Sequence, residues 1–224
     1  MASALKTYYL VSYNLVQWIL WVSVVGLLIQ GCLESGGDLG VGAVLAFPLV
    51  KLAVGVAWLE MVHSVLGMTK GSIVAAAGQM FGRSMTTFGI LNKNPEVVPL
   101  DSTFLLFLTW ALIELIRYPF YALTLINRCP KFLEYLRYSA FIPLYPVGMI
   151  LEWIAVRTGL PYMKIRDYWS IYMPNTLNFE FSFYLYCSTG WIQYLLIGPW
   201  QYAYMLKQRS KRFAASKAQP TKTE

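Results

Sequence analysis

Apolar residues in this chain run in long blocks, not in the alternating or 3.6-residue patterns of half-buried strands and amphipathic helices. A helix of about 20 mainly apolar residues crosses the hydrocarbon core of a bilayer. Six blocks meet or approach that length: residues 8–31, 43–68, 72–91, 102–126, 132–156 and 181–205. The pattern predicts an all-α polytopic membrane protein, a bundle of six transmembrane helices within residues 1–206, followed by a basic tail at 207–224. The third block is the weakest, because Gln79 and Arg83 interrupt it.

Composition supports the same class. With 57% hydrophobic and only 13% charged residues, 224 residues do not supply the polar surface of a soluble domain. Trp and Tyr favour the bilayer interfaces, and aromatic residues make up 16% of the chain. The net charge of +7 is concentrated at the end, in Lys207, Arg209, Lys211, Arg212, Lys217 and Lys222. After an apolar span, such a tail is expected on the cytosolic side beside anionic lipid. No nucleic-acid-binding signature accompanies it. Cys32, Cys129 and Cys187 are far apart, which argues against a disulfide framework and against metal-ligand spacing. The opening MASALKTYYL lacks the apolar core and cleavage site of a removed signal peptide, so the first span is expected to stay.

Loop charges set the expected orientation. Lys6, Lys70, Arg128, Lys131 and the tail fall on one side, and the first loop carries Glu34 and Asp38 with no cation. Both termini are therefore expected in the cytosol. Lys93 and the loop at 157–180, with Arg157, Lys164 and Arg166, are the exceptions. That loop contains Pro161 and Pro174 and is expected to fold back on the membrane face.

Ionisable groups inside spans are costly and usually face the bundle interior. Here they are Lys51, Glu60, His63, Arg83, Glu114, Arg117, Arg137 and Glu152. Counted from the cytosolic ends, Glu60 and His63 lie roughly 8–12 Å deep, Gln79 and Arg83 roughly 10–17 Å, Glu114 and Arg117 roughly 14–18 Å, and Arg137 about 8 Å. The shared depth predicts a polar cavity open to the cytosol. Glu60 and His63 share a helix face, but a single His without a second ExxH argues against a metal site. Glu114 and Arg117 read as a structural ion pair. Arg83 and Arg137 lack a local acid; they either pair with Glu60 or Glu114 or await an anionic substrate.

Tyr145 and Glu152 are the sharpest pair. Two turns separate them, so they share a face about 10.5 Å apart along the axis. Pro146 disturbs the backbone between them and Gly148 opens space beside it. A phenol and a carboxylate can exchange protons with a substrate, although packing explains the spacing equally well.

Three stretches resemble the very-long-chain (3R)-3-hydroxyacyl-CoA dehydratases, the protein tyrosine phosphatase-like A family: LEMVHSVLG from Leu59, WALIELIRYPFYAL from Trp110, and LRYSAFIPLYPVGMILE from Leu136 to Glu152. YYLVSYN from Tyr8, GQMFGR from Gly78 and MPNTLNFEF from Met173 are lesser matches, the last closest to plant-like members. The resemblance implies a six-span endoplasmic reticulum hydro-lyase that converts (3R)-3-hydroxyacyl-CoA to trans-2-enoyl-CoA, the third step of very-long-chain fatty acid elongation. It implies that Tyr145 and Glu152 of the YPxGxxxE motif are catalytic, without saying which is acid and which base. Gln79, Arg83, Arg117 and Arg137 would be available for the coenzyme A phosphates or the thioester oxygen, and Glu60, His63 and Glu114 would form a structural polar cluster. The reaction requires no cofactor. Acyl-CoA, membrane lipid and the other elongation enzymes are the implied partners. Phe88 stands where the family pattern leads one to expect Trp, and Lys222 has no adjacent Lys to complete a dilysine signal. Cys129 and Arg137 are spaced too widely for a phosphatase loop. A transporter would use the same buried charges, but the chain is short and shows neither repeats nor paired broken helices. The intact Tyr145 and Glu152 argue against a catalytically silent scaffold.

Overall fold

The computed structural model describes residues 2–69 and 73–218. Lys70 and Lys222 lie outside the described residues, as does the side chain of Gln79. Among the described residues the chain is helical almost throughout, and Ile171 and Phe181 form an isolated antiparallel bridge.

Helices α1 (Ala2–Glu34) and α2 (Leu39–Ala57) form an antiparallel hairpin. Gly36 and Gly37 have positive φ at the turn, and Asp38 caps α2 by accepting the Gly40 N–H at 2.8 Å. Small residues let the two backbones approach: a Cβ on Gly31 would lie 2.6 Å from the Gly42 Cα. Close approach of this kind drives helix association in lipid, where apolar burial alone gives little. Helix α5 (Asp101–Leu125) lies across the hairpin, and Trp21, Leu28, Ala46, Val50 and Phe107 are fully or almost fully buried in the resulting core.

The other elements build outward from this core. The second apolar block breaks at Trp58 into α2 and the short α3 (Leu59–Val65). Helix α4 (Ile73–Ser84) runs into a π-helical stretch, Met85–Leu91. The Trp58 indole donates to Ser84 Oγ at 2.9 Å, linking the two breaks. Helices α6 (Lys131–Ser139) and α7 (Phe141–Arg166) are separated only at Ala140. Short α8 (Phe183–Thr189) leads into α9 (Trp191–Ala218).

Several expectations change. Four helices among the described residues are long and apolar enough to cross a membrane: Ala4–Glu34, Leu39–Val65, Asp101–Leu125 and Lys131–Arg166. The third and sixth blocks do not qualify. The third turns from α to π winding after Ser84, and the sixth is split at Gly190 before its helix runs on into the basic tail. The expected loop at 157–180 is helical as far as Arg166, because Pro161 is accommodated inside α7. Arg166 then pairs with Glu96, donates to the Lys93 carbonyl at 2.9 Å, and so ties the end of α7 to the turn before α5. Over its first part the basic segment is helical: α9 carries it along α6, where Arg212 Nε donates to Glu134 Oε1 at 2.6 Å.

Candidate active site

Two polar constellations lie inside the bundle and share one indole ring. The first is an ionic core. Glu114 of α5 has no solvent exposure and accepts from Arg83 of α4 and from Arg117 Nε, the latter at 2.6 Å. Arg117 turns its other two nitrogens to both oxygens of Glu60 on α3, at 3.0 and 2.9 Å. Tyr118 donates to the same carboxylate at 2.8 Å. Two acids thus meet two guanidiniums across three helices, with the fork geometry that only Arg offers. His63 accepts or donates at Nε2 with the Tyr9 hydroxyl at 2.8 Å and packs edge-on to Tyr13, which extends the cluster to α1.

This packing replaces the open cavity expected from depth alone. Arg83 and Arg117 are each 8% exposed, and opposite charges have closed on one another instead of lining a water-filled space. Arg137 stands apart on α6. It donates to the Tyr121 hydroxyl at 3.0 Å, lies over that ring, and contacts no carboxylate among the described residues. Its Nε has no partner among them. Lys51 donates to Asn92 Oδ1 at 3.1 Å.

The second constellation is the seam between α7 and α9. Pro146 has no N–H, so it leaves the Ile142 carbonyl without its helical donor. The Tyr202 hydroxyl donates to that carbonyl at 3.3 Å, and its ring stacks on Tyr145 with centroids 6.0 Å apart. Tyr145 donates to Gln201 Oε1 at 2.7 Å. Two turns further along α7, Glu152 accepts from the Trp110 indole at 3.0 Å and faces the Tyr194 hydroxyl. Tyr145 meets Gln201 and Glu152 meets Tyr194, so the two antiparallel helices hold one register, each contributing polar groups seven residues apart. Gly148 of α7 faces Thr109 of α5, where a Cβ would make ordinary contact 3.6 Å from the Thr methyl.

Trp110 joins the two constellations. The Arg83 guanidinium lies over its ring at 5.4 Å from the centroid, and over Trp21 at 5.9 Å. The indole N–H points the other way, to Glu152. An ion pair locked at Glu114 therefore orients the ring that holds the Glu152 carboxylate.

Sequence reasoning brought forward Tyr145, Glu152, Glu60, His63, Arg83, Glu114, Arg117 and Arg137, and the structure gathers all but Tyr145, Glu152 and Arg137 into the ionic core. It did not find Trp110, Tyr194 or Gln201. Tyr194 and Gln201 showed only as polarity at a two-turn repeat in the last block, and Trp110 only as the first residue of the WALIELIRYPFYAL stretch in the fourth; neither signal means much until the partner helices are known.

Comparison with known proteins gives a consistent result. The family description "Protein tyrosine phosphatase-like protein, PTPLA" matches residues 55–215. The chain is 32% identical to very-long-chain (3R)-3-hydroxyacyl-CoA dehydratase 2 of Homo sapiens, over 92% of this chain and 81% of that protein. It is 34% identical to the dehydratase PASTICCINO 2A of Oryza sativa subsp. japonica and 33% identical to PASTICCINO 2 of Arabidopsis thaliana, each over 96% of this chain and 97% of the relative. No solved structure matches significantly. With a family match over most of its length and relatives above 30% identity over most of both chains, this chain belongs to the protein tyrosine phosphatase-like PTPLA family.

Proposed function

We propose that this protein is a hydro-lyase that dehydrates (3R)-3-hydroxyacyl-CoA to trans-2-enoyl-CoA in very-long-chain fatty acid elongation, with Tyr145 and Glu152 as its catalytic pair. The observation that carries the site is the α7–α9 seam, where a phenol and a carboxylate share one face and each has a fixed partner. Glu152 accepts from an indole and offers a lone pair, so it takes the C2 proton. Tyr145 holds its proton toward Gln201, and that proton passes to the C3 hydroxyl as the C3–O bond breaks. The C2 electron pair forms the double bond and water leaves. Proton return from Glu152 to Tyr145 through solvent closes the cycle. Arg137, the cation with no carboxylate partner among the described residues, is the contact for the coenzyme A phosphates. Arg83 and Arg117 act through the ionic core.

The experiment is dehydration of 3-hydroxyacyl-CoA by purified protein in deuterated water, followed by mass spectrometry. Tyr145→Phe and Glu152→Gln should each lower turnover by roughly 10²–10⁴. Tyr145→Phe should retain C2 hydrogen exchange and Glu152→Gln should lose it. The reverse pattern would exchange the two roles, and near-normal turnover by either variant would remove that residue from the mechanism.

We also propose six crossings, with α4 and its π-helical continuation as the third and α8–α9 as the sixth, in the endoplasmic reticulum membrane with both termini cytosolic. Loop charges support this orientation. The Tyr145 end of α7 then lies toward the compartment that supplies acyl-CoA, and the basic end of α9 lies beside the anionic leaflet, where it is available to other elongation enzymes.

A further inference from the structure

Three layers cross the α7–α9 seam. Helix α7 contributes Tyr145, Met149 and Glu152, at spacings of four and three residues. Antiparallel α9 answers with Gln201, Gly198 and Tyr194, at spacings of three and four. Such spacing puts each trio on one helix face. The outer layers are polar and paired, Tyr145 with Gln201 and Glu152 with Tyr194. The middle layer is apolar. Gly198 is buried and offers no side chain, and the Met149 thioether lies in the space this leaves. A Cβ on Gly198 would overlap Met149 Cε and stand 3.0 Å from its Sδ.

Two features make that filling removable. Met is unbranched, with three rotatable bonds, so its end can swing aside without moving the backbone. Pro199 lacks the N–H that would bond the Leu195 carbonyl, and beside Gly198 it weakens α9 at this level.

We infer that the Met149–Gly198 layer is the seat of the reacting C2–C3 unit, filled by the Met149 thioether until substrate displaces it. The inference rests on the reading of Tyr145 and Glu152 as the proton-transfer pair. One group must reach the C3 oxygen and the other the C2 hydrogen, on adjacent carbons, so that bond has to lie between the two residues. Along α7 the Met149 level is about 6 Å from Tyr145 and about 4.5 Å from Glu152. The Cγ–Sδ–Cε end of Met149 is close in size to the C2–C3–O unit. Polar groups flank the layer on both sides along the seam, which suits a hydroxyacyl unit better than a lipid tail. Met149 then sets how much bulk the enzyme accepts at the reacting carbons.

The test compares (3R)-3-hydroxyhexadecanoyl-CoA with its 2-methyl analogue, as both C2 epimers, on the full purified chain. Met149→Ala vacates room for the added methyl group. It should raise kcat/KM for at least one branched epimer, relative to the unbranched substrate, by roughly tenfold or more, the discrimination one such group brings in an apolar pocket. Lost packing alone would lower both substrates together, and an unchanged ratio for both epimers would overturn the seat. Gly198→Ala should lower kcat/KM for the unbranched substrate by roughly tenfold to a hundredfold, and adding Met149→Ala should recover most of it. Full activity in Gly198→Ala alone would equally refute the inference. A measurement on the intact Met149 side chain covers variants that fail to fold. It uses carbon-13-methyl methionine spectra of Tyr145→Phe, which holds substrate unreacted, with the Met149 resonance assigned by Met149→Leu. That resonance should move when 3-hydroxyhexadecanoyl-CoA is added and stay in place with coenzyme A alone. A resonance unmoved at saturating substrate would exclude displacement of Met149. Failure of the unmodified protein to dehydrate the unbranched substrate would sink the dehydratase reading instead, and the Met149 resonance would still report whether an acyl-CoA enters the layer.

Discussion

Replacing Glu114 by Gln tests the ionic core directly. The change keeps the shape and removes one charge from a cluster in which Glu60 and Glu114 balance Arg83 and Arg117. Glu114 has no exposure and both guanidiniums are 8% exposed, so solvent cannot screen the surplus positive charge. Breaking a buried pair by removing one partner costs about 3–5 kcal/mol. The comparison is Glu134→Gln, which removes the partner of the solvent-exposed Arg212; exposed pairs of that kind contribute about 0–1 kcal/mol. Reversible unfolding in detergent micelles, followed by circular dichroism, measures both. The double variant Glu114→Gln with Arg83→Met removes the charge together with one of its partners, so it should be at least about 1 kcal/mol more stable than the sum of the single changes. Equal costs for Glu114→Gln and Glu134→Gln would refute the reasoning, because the core would then be hydrated. Additivity in the cycle would refute the Arg83–Glu114 coupling alone.

Three further outcomes are expected. Trp110→Phe keeps the ring under Arg83 and loses the N–H on Glu152; kcat should fall by roughly tenfold with C2 exchange slowed in parallel, whereas Gln201→Leu should slow dehydration and spare exchange. Arg166 holds the Glu96 carboxyl below its ordinary range, so their contribution to stability is present above that range and disappears as pH falls through the lowered value; Glu96→Gln should flatten the acid limb of a pH–stability curve, and an unchanged limb would count against the contact. Epitope tags at both ends should be reached by antibody when only the plasma membrane is permeabilised, and protection of either tag would overturn the proposed topology.

The membrane class, the helical fold and the family were legible in the sequence because each rests on local or strongly repeated signals. Long apolar blocks need no partner to be recognised, and the YPxGxxxE spacing places Tyr145 and Glu152 on one face wherever that helix packs. Burial of the charges was legible for the same reason: Glu114 in an apolar block has nowhere else to go. Tertiary structure decided how those charges are used. Depth along single helices predicted a cavity in which Glu60 and Glu114 accept from Arg side chains with one Arg in surplus; the packing of α3, α4 and α5 decided that Arg83 and Arg117 are the ones that pair, that they close the space, and that Arg137 stays apart. Helix ends were also beyond local reading, since the π winding after Ser84, the continuation of α7 through Pro161 and the docking of the basic segment on Glu134 depend on neighbours distant in sequence. Trp110, Tyr194 and Gln201 acquire meaning only when α5, α7 and α9 come together, because a hydrogen bond across helices is a property of register between two chain segments and not of either one.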